Sequence, residues 1–414
     1  MTDRTAALTT RWPASRTVVL LCFAAVFISY LDRSNLSVAA IPMQQELGWT
    51  ESVKGLVLSS FFVGYLLLQV GSGWLTNRYG GRRVLGAAVL WWSLFTLLTP
   101  LAARYSLPAL LAARIALGIG EAAVFPGSFN MLARWVRLEH RTRAVALVSS
   151  GVAMGTVIAL PVTGWIIRDF GWPMAFYAFG ALGFLWAMGW YPLVREGRDP
   201  AMTDPADAAP RTVPWGRLLR APAVWAIIIN HFCHNWSLYV LLAWLPSYFK
   251  STFDVSLASA GLLSAAPWLC SFAMANAAGA WADRMLTAGM SATRVRRRLQ
   301  CLGLLGGATF LSLIPLAPSA AIATVLMCGA AGALACCMAG FGANGLDIAP
   351  RYADVIWGIS NTAGTIPGIV GVYVTGWLVE QTGAYTAPFL VTAAISVVGA
   401  VVYVLMGSGE RQFD

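Results

Sequence analysis

Long apolar stretches separated by short polar ones run the length of the chain, and their length decides what they are. Crossing roughly 30 Å of hydrocarbon takes about 20 helical residues. Twelve runs are long enough: 17–41, 53–75, 83–103, 107–135, 143–168, 172–194, 221–249, 256–281, 298–316, 320–346, 353–380 and 385–408. Each is continuously apolar, whereas the strands of a membrane barrel alternate over about ten residues. The pattern therefore predicts an all-α membrane protein of twelve transmembrane helices. Residues 195–220 (REGRDPAMTDPADAAPRTVPWGRLLR) form the one long polar stretch, predicting a linker between a six-helix half at 1–194 and another at 221–414. A repeat crosses this linker: GSGWLTNRYGGRRVL (71–85) follows the second run as AAGAWADRMLTAGMSATRVRRRL (277–299) follows the eighth.

Composition narrows the picture by exclusion. Of 414 residues 58% are hydrophobic and 11% charged, against about 25% charged in a soluble domain, which excludes a cytosolic globular protein and a disordered chain. The net charge of +10 does not point to nucleic acid, because the charges lie between apolar runs. Twenty-two of the 28 Lys and Arg residues fall on the side of the two termini, including Arg4, Arg11, Arg195, Arg198, Arg211, Arg296 and Arg351. Opposite them stand Lys54, Arg104, Arg168 and Lys250. The positive-inside rule then places both termini in the cytoplasm, and the compact loops suggest a bacterial cytoplasmic membrane. The first run is too long for a cleaved signal peptide and carries Asp32 and Arg33. All seven cysteines and both Asn-x-Ser sequons, at Asn35 and Asn235, fall within the runs, so neither disulfides, a zinc site nor glycans are indicated.

The chemistry is expected where charge meets hydrocarbon. A charged side chain at mid-membrane costs at least about 2.5 kcal/mol, yet Asp32 and Arg33 lie in the first run and Arg114 and Glu121 in the fourth. Arg114 and Glu121 are seven residues apart, two helical turns or about 10 Å along one face. Arg33 is the expected carboxylate contact, because its guanidinium fork matches carboxylate geometry. Arg114 is a second anchor, and Asp32 and Glu121 are the proton carriers. An anion that takes over an arginine leaves the neighbouring carboxylate without its counter-charge and favours its protonation. The alternative is a set of permanent ion pairs holding the two helices together.

Several motifs carry a family resemblance over nearly the whole chain: YLDRSNLSVA (30–39), RIALGIGEAAVFPG (114–127), HFCHNWSLYVLLAWLPSYF (231–249), and LDIAPRY with GISNTAG (346–364). With six plus six runs and a basic loop after the second and eighth, the chain resembles the major facilitator superfamily. Within it the chain is similar to the anion:cation symporter branch, which includes bacterial sugar-acid transporters, sialin and the vesicular glutamate transporters. The resemblance implies anion recognition and proton coupling at Arg33, Arg114 and Glu121. It also implies a substrate-contacting Asn361, beside Ser360 in a gapped helix, and a cavity-facing His234 where the glutamate transporters carry arginine. The loop after the second run departs from the superfamily at Asn77, where an acid that helps latch the two halves is usual.

Other residues are expected to shape or gate the path. Tyr65, Trp236 and Tyr239 can hydrogen-bond or stack on a polyhydroxylated substrate, or simply pack. Asp347 and Arg351, four apart, suggest a cytoplasmic gating salt bridge or a surface pair, and the basic-loop residues Arg78, Asp283 and Arg284 belong with them. No HExxH, GxSxG or paired-Asp motif supports a membrane enzyme. The expected function is proton-coupled symport of a small organic anion, a sugar acid or other carboxylate, by a monomer in the lipid bilayer. It needs no cofactor beyond the coupling proton and no nucleic acid. Anion exchange, uniport and substrate sensing on the same fold are the alternatives.

Overall fold

The computed structural model describes residues 12–194 and 213–413. Every expected run is helical: α1 (Trp12–Leu47), α2 (Glu51–Tyr79), α3 (Gly81–Tyr105), α4 (Leu107–Glu121) with α5 (Val124–Trp135), α6 (Leu138–Phe170) and α7 (Trp172–Leu193). After the short α8 (Trp215–Leu218) come α9 (Pro222–Phe253), α10 (Leu257–Thr287), α11 (Ala292–Leu313), α12 (Ala320–Ala335) with α13 (Ala343–Ile348), α14 (Ala353–Thr382) and α15 (Thr386–Met406). No strand occurs among the described residues. In hydrocarbon only a helix or a closed barrel satisfies its own backbone hydrogen bonds, so this sequence folds as an all-α membrane protein. Eleven of the runs are long and apolar enough to span a membrane by length and composition. α7 is a 22-residue helix without a charge, its hydropathy lowered by Trp, Tyr, Gly and Pro. Most of the expected linker, residues 195–212 with Arg195, Arg198 and Arg211, lies outside the described residues, as do Arg4 and Arg11.

Local chemistry sets the helix ends. Ser106, Ser256 and Ser319 accept hydrogen bonds from the amides of Ala109, Ser259 and Ile322, capping α4, α10 and α12. Gly80, the only residue between α2 and α3, has φ 86°, which a side chain would resist.

Three runs differ from expectation in continuity. The fourth breaks after Glu121, where Pro126 lacks an amide for the carbonyl of Ala122; Ser72 Oγ donates to that carbonyl instead, at 3.0 Å. The tenth passes through a π-helical turn, Met338–Gly342. There the Phe341 amide donates to Gln300 Oε1 (3.0 Å), and Gln300 Nε2 donates to Asn230 Oδ1 (2.7 Å). The eleventh was expected to be gapped around Asn361, but α14 runs unbroken through it, because its glycines pack closely without interrupting the hydrogen-bond ladder.

The helices gather into two compact units built from non-contiguous stretches. One holds the residues up to Asn35, Val63–Ala159 and the chain from Asp169 to the end of α7; the other holds Leu36–Phe62, Leu160–Arg168 and the chain from α8 onward. In the first, α2 and α4 cross so closely that a Cβ on Gly64 would overlap the backbone carbonyl of Ile115. Gly64→Ala should therefore force the helices apart and cost about 1–3 kcal/mol. A lowered melting temperature in detergent, with an unchanged far-ultraviolet helix signal, is the expected result.

Candidate functional site

In the first unit the membrane charges converge. Arg33 Nη2 lies 2.9 Å from Glu121 Oε2, with side-chain exposures of 5% and 0%. Ser29 Oγ donates to the same carboxylate oxygen at 2.9 Å. Ser29 is one helical turn before Arg33, so the face of α1 that carries the arginine also carries the hydroxyl. Tyr30 and Tyr65 lay their rings against the guanidinium, 4.6 and 5.0 Å from its carbon to their centroids, and Arg33 Nη1 also donates to the Tyr30 hydroxyl at 3.4 Å. Two aromatic faces and a carboxylate thus offset the desolvation of the cation.

Asp32 does not join that pair. Adjacent helix positions point about 100° apart, so Asp32 is buried toward Trp92 and Thr96 of α3. Arg114, 2% exposed, lies within electrostatic range of both Asp32 and Glu121. The structure therefore brings Asp32, Arg33, Tyr65, Arg114 and Glu121 into one buried cluster. Ser29 and Tyr30 also belong to it, and the face they share with Arg33 was the available signal for them. Glu121 is the last residue of α4, directly before the break, and the Gly-Ile-Gly and Pro126 around it account for its place there.

In the second unit the expected His234, Trp236, Tyr239, Ser360 and Asn361 lie on α9 and α14, joined by His231 and Asn235, to which the sequence had assigned no substrate contact. His231 Nδ1 is 3.1 Å from Ser360 Oγ, and its ring centroid stands 5.0 and 5.1 Å from those of Phe341 and Trp357. His234 packs on Phe341 at 5.6 Å, and its Nδ1 is buried without a hydrogen bond. Asn235 Nδ2 donates to the carbonyl of Gly364 (2.8 Å). α14 offers a glycine face to these side chains. A Cβ on Gly364 would come within 2.6 Å of His231, and one on Gly371 within 3.0 Å of Trp236. Tyr239 packs on Phe62 with centroids 4.4 Å apart. Asn361 is half-buried on the same helix, its carbonyl accepting from the Thr365 hydroxyl. Phe341 and Trp357 were missed from sequence because only the π turn and the chain reversal after α13 bring them to the histidines.

The gating residues fall differently. Asp347 pairs with Arg296, Nε to Oδ2 at 2.7 Å and Nη2 to Oδ1 at 3.2 Å, rather than with Arg351. Arg351 sits in a separate 3₁₀ turn, so the four-residue helical spacing that would join it to Asp347 does not exist. Arg296 also donates to the carbonyl of Ala339 in the π turn. Asp283 and Arg284 are exposed at the end of α10, and Arg78 is exposed against the rings of Trp74 and Tyr79. A further cation, Lys54, set by the charge distribution on the face opposite the termini, is buried in α2 at 2% exposure.

Removing one partner of a buried ion pair leaves an uncompensated charge and costs about 3–5 kcal/mol, whereas replacing both with apolar residues is near neutral. Arg33→Met alone should lower the melting temperature markedly, and Arg33→Met with Glu121→Leu should restore most of it. Equal losses in single and double variants would show that the pair makes no such contribution.

The geometry has counterparts among known proteins. The pattern of the Major Facilitator Superfamily matches residues 22–372. Over 416 residues the chain is 39% identical to the chloroplastic ascorbate transporter of Arabidopsis thaliana, covering 98% of this chain and 77% of that protein. It is also 39% identical over 415 residues to sodium-dependent phosphate transport protein 1, chloroplastic, of the same plant, covering 97% and 81%. The fold superposes on a bacterial homologue of the human lysosomal transporter Spinster with a TM-score of 0.83 at 20% identity, covering 95% of this chain and 97% of that one. A match over this much of the chain, on helical runs whose buried charges the sequence already singled out, makes the protein a member of the Major Facilitator Superfamily, with anion transporters as its relatives.

Proposed function

We propose that this transporter is a proton-coupled symporter of a small organic anion, a sugar acid or a related carboxylate, working by alternating access as a monomer with both termini in the cytoplasm. The observation that carries the reading is the 2.9 Å contact between Arg33 and Glu121 at membrane depth. In it a carboxylate already occupies the guanidinium as a substrate carboxylate would. An incoming anion displaces Glu121 from Arg33, and Glu121, left in a low-dielectric site, takes up a proton. Release of the anion returns Arg33 to Glu121 and expels that proton. Asp32, with Arg114 in electrostatic range, is the second proton carrier. His231, His234, Ser360, Asn361, Trp236 and Tyr239 supply a neutral, aromatic and hydroxyl-bearing surface suited to a polyhydroxylated anion. The names of the relatives, ascorbate and phosphate transporters, agree with an anionic cargo. Their chloroplast location gives no support to a bacterial cytoplasmic membrane for this chain.

The test is uptake of labelled ascorbate, phosphate and sugar acids into proteoliposomes under an imposed pH gradient, with current recorded in parallel. A monoanion carried with one proton moves no net charge. With two it is driven by the membrane potential as well, at about 2.3 kcal/mol per 100 mV. Glu121→Gln should abolish gradient-driven accumulation while leaving exchange of labelled for unlabelled anion intact. Accumulation by Glu121→Gln equal to wild type would remove Glu121 from coupling. The name of one relative favours a second reading, sodium as the coupling ion; uptake that needs sodium and ignores the pH gradient would establish it.

A further inference from the structure

Lys54, like Arg296, is a buried cation that the proposed cycle does not use. It lies in the first turn of α2, at the membrane face opposite the amino terminus, where the arginine distribution places few cations. Its ammonium is 2.7 Å from Glu51 Oε2 and 2.8 Å from Gln44 Oε1, and Gln44 Nε2 donates to Glu51 Oε1 at 2.9 Å. The ammonium also stands 4.9 Å from the ring centroid of Trp244, whose indole nitrogen donates to the carbonyl of Val372. Nearby, the Ser52 amide donates to Glu380 Oε2 at 2.7 Å, and a Cβ on Gly376 would overlap the carbonyl of Glu51. The start of α2 is thus seated on α14 by backbone contact.

The partners of Lys54 form the wall of a cavity of about 670 Å³ that Gln44, Thr50, Glu51, Tyr248, Glu380 and Tyr385 line. Lys54 itself stands behind that wall. A lysine buried for packing alone would gain nothing over an apolar residue, since desolvating an ammonium offsets most of its Coulombic attraction. Here the compensating carboxylate is local, three residues away, 27% exposed and turned to the cavity. By contrast, the Lys250–Asp254 pair, with exposures of 33% and 93%, has the geometry of an ordinary surface pair.

We propose that Lys54 is the entry-side anion contact of the transporter, with the Glu51 carboxylate standing in for the oxyanion until one arrives through the cavity. The inference rests on the anion-transport reading above. The ligand chemistry is that of a small carboxylate or phosphate, recognised by an ammonium as a point charge and by the hydroxyl and aromatic rim.

The two members of the pair have opposite expected effects, which a purely structural role would not produce. In oriented proteoliposomes, with labelled ascorbate and labelled phosphate as probes, Lys54→Gln should raise KM about tenfold for anion added at this face. Its kcat, and KM from the other face, should stay unchanged. Lys54→Arg should recover most of the affinity, and Glu51→Gln, which unmasks the ammonium, should lower KM severalfold at the same face. Glu51→Gln and Lys54→Gln shifting KM in the same direction, or Lys54→Gln acting equally from both faces, would overturn the proposal while leaving anion transport intact. Acetylation of Lys54 by a membrane-impermeant amine reagent, read by mass spectrometry, serves as an arm independent of flux. Glu51→Gln should label faster than wild type; Lys54 unlabelled in both proteins overturns the proposal. Absence of saturable uptake of every probe by wild type would instead sink the transport reading, and the labelling result would still decide the role of Lys54.

Discussion

Hydrocarbon supplies no hydrogen-bond partners, so a polar group placed at membrane depth is costly unless it is answered from within the chain. Regular helices answer the backbone, and at two interruptions a side chain takes over. Ser72 serves the carbonyl of Ala122 that Pro126 leaves unbonded, and Gln300, itself held by Asn230, serves the amide of Phe341 in the π turn. Ionised groups follow the same rule. Arg33 has Glu121, Lys54 has Glu51 and Gln44, and Arg296 has Asp347 with the carbonyl of Ala339.

The interruptions coincide with the chemistry. Glu121 ends α4 at the break, and Phe341 lies in the π turn that reaches both histidines. An uninterrupted helix spaces its side chains at about 100°, which limits what one face can aim at. A break changes that angle without leaving the membrane, at the cost of one or two backbone groups that need new partners. Ser72 and Gln300 are those partners, one holding the carbonyl of Ala122 and the other the amide of Phe341.

Each unit carries a different kind of chemistry. The first concentrates two arginines and two carboxylates, with aromatic faces around Arg33. The second is neutral at the corresponding residues, with imidazoles, hydroxyls, an amide and indole rings packed on the glycine face of α14. The physical difference matters because a charge attracts every anion alike, whereas an unsatisfied hydroxyl or amide rejects the wrong shape.

What the amino-acid sequence determined by itself is what one-dimensional pattern can encode. The twelve runs, their helical character, the all-α membrane class and the membrane charges Asp32, Arg33, Arg114 and Glu121 all follow from apolar run length and the cost of charge in hydrocarbon. Helix continuity was less legible: the expected gap near Asn361 is absent, while the breaks after Glu121 and at Met338–Gly342 depend on Ser72 and Gln300, whose role is visible only once distant helices meet. Partner choice lay further out of reach. Asp347 takes Arg296 from 51 residues away instead of Arg351 from the next turn, and Arg33 takes Glu121 instead of the adjacent Asp32. Lys54 looked like an ordinary charge at the end of its run because sequence does not show that Glu51, Gln44 and Trp244 enclose it. Which charge neutralises which is decided by the crossing of helices far apart in the chain, and only the tertiary structure sets those crossings.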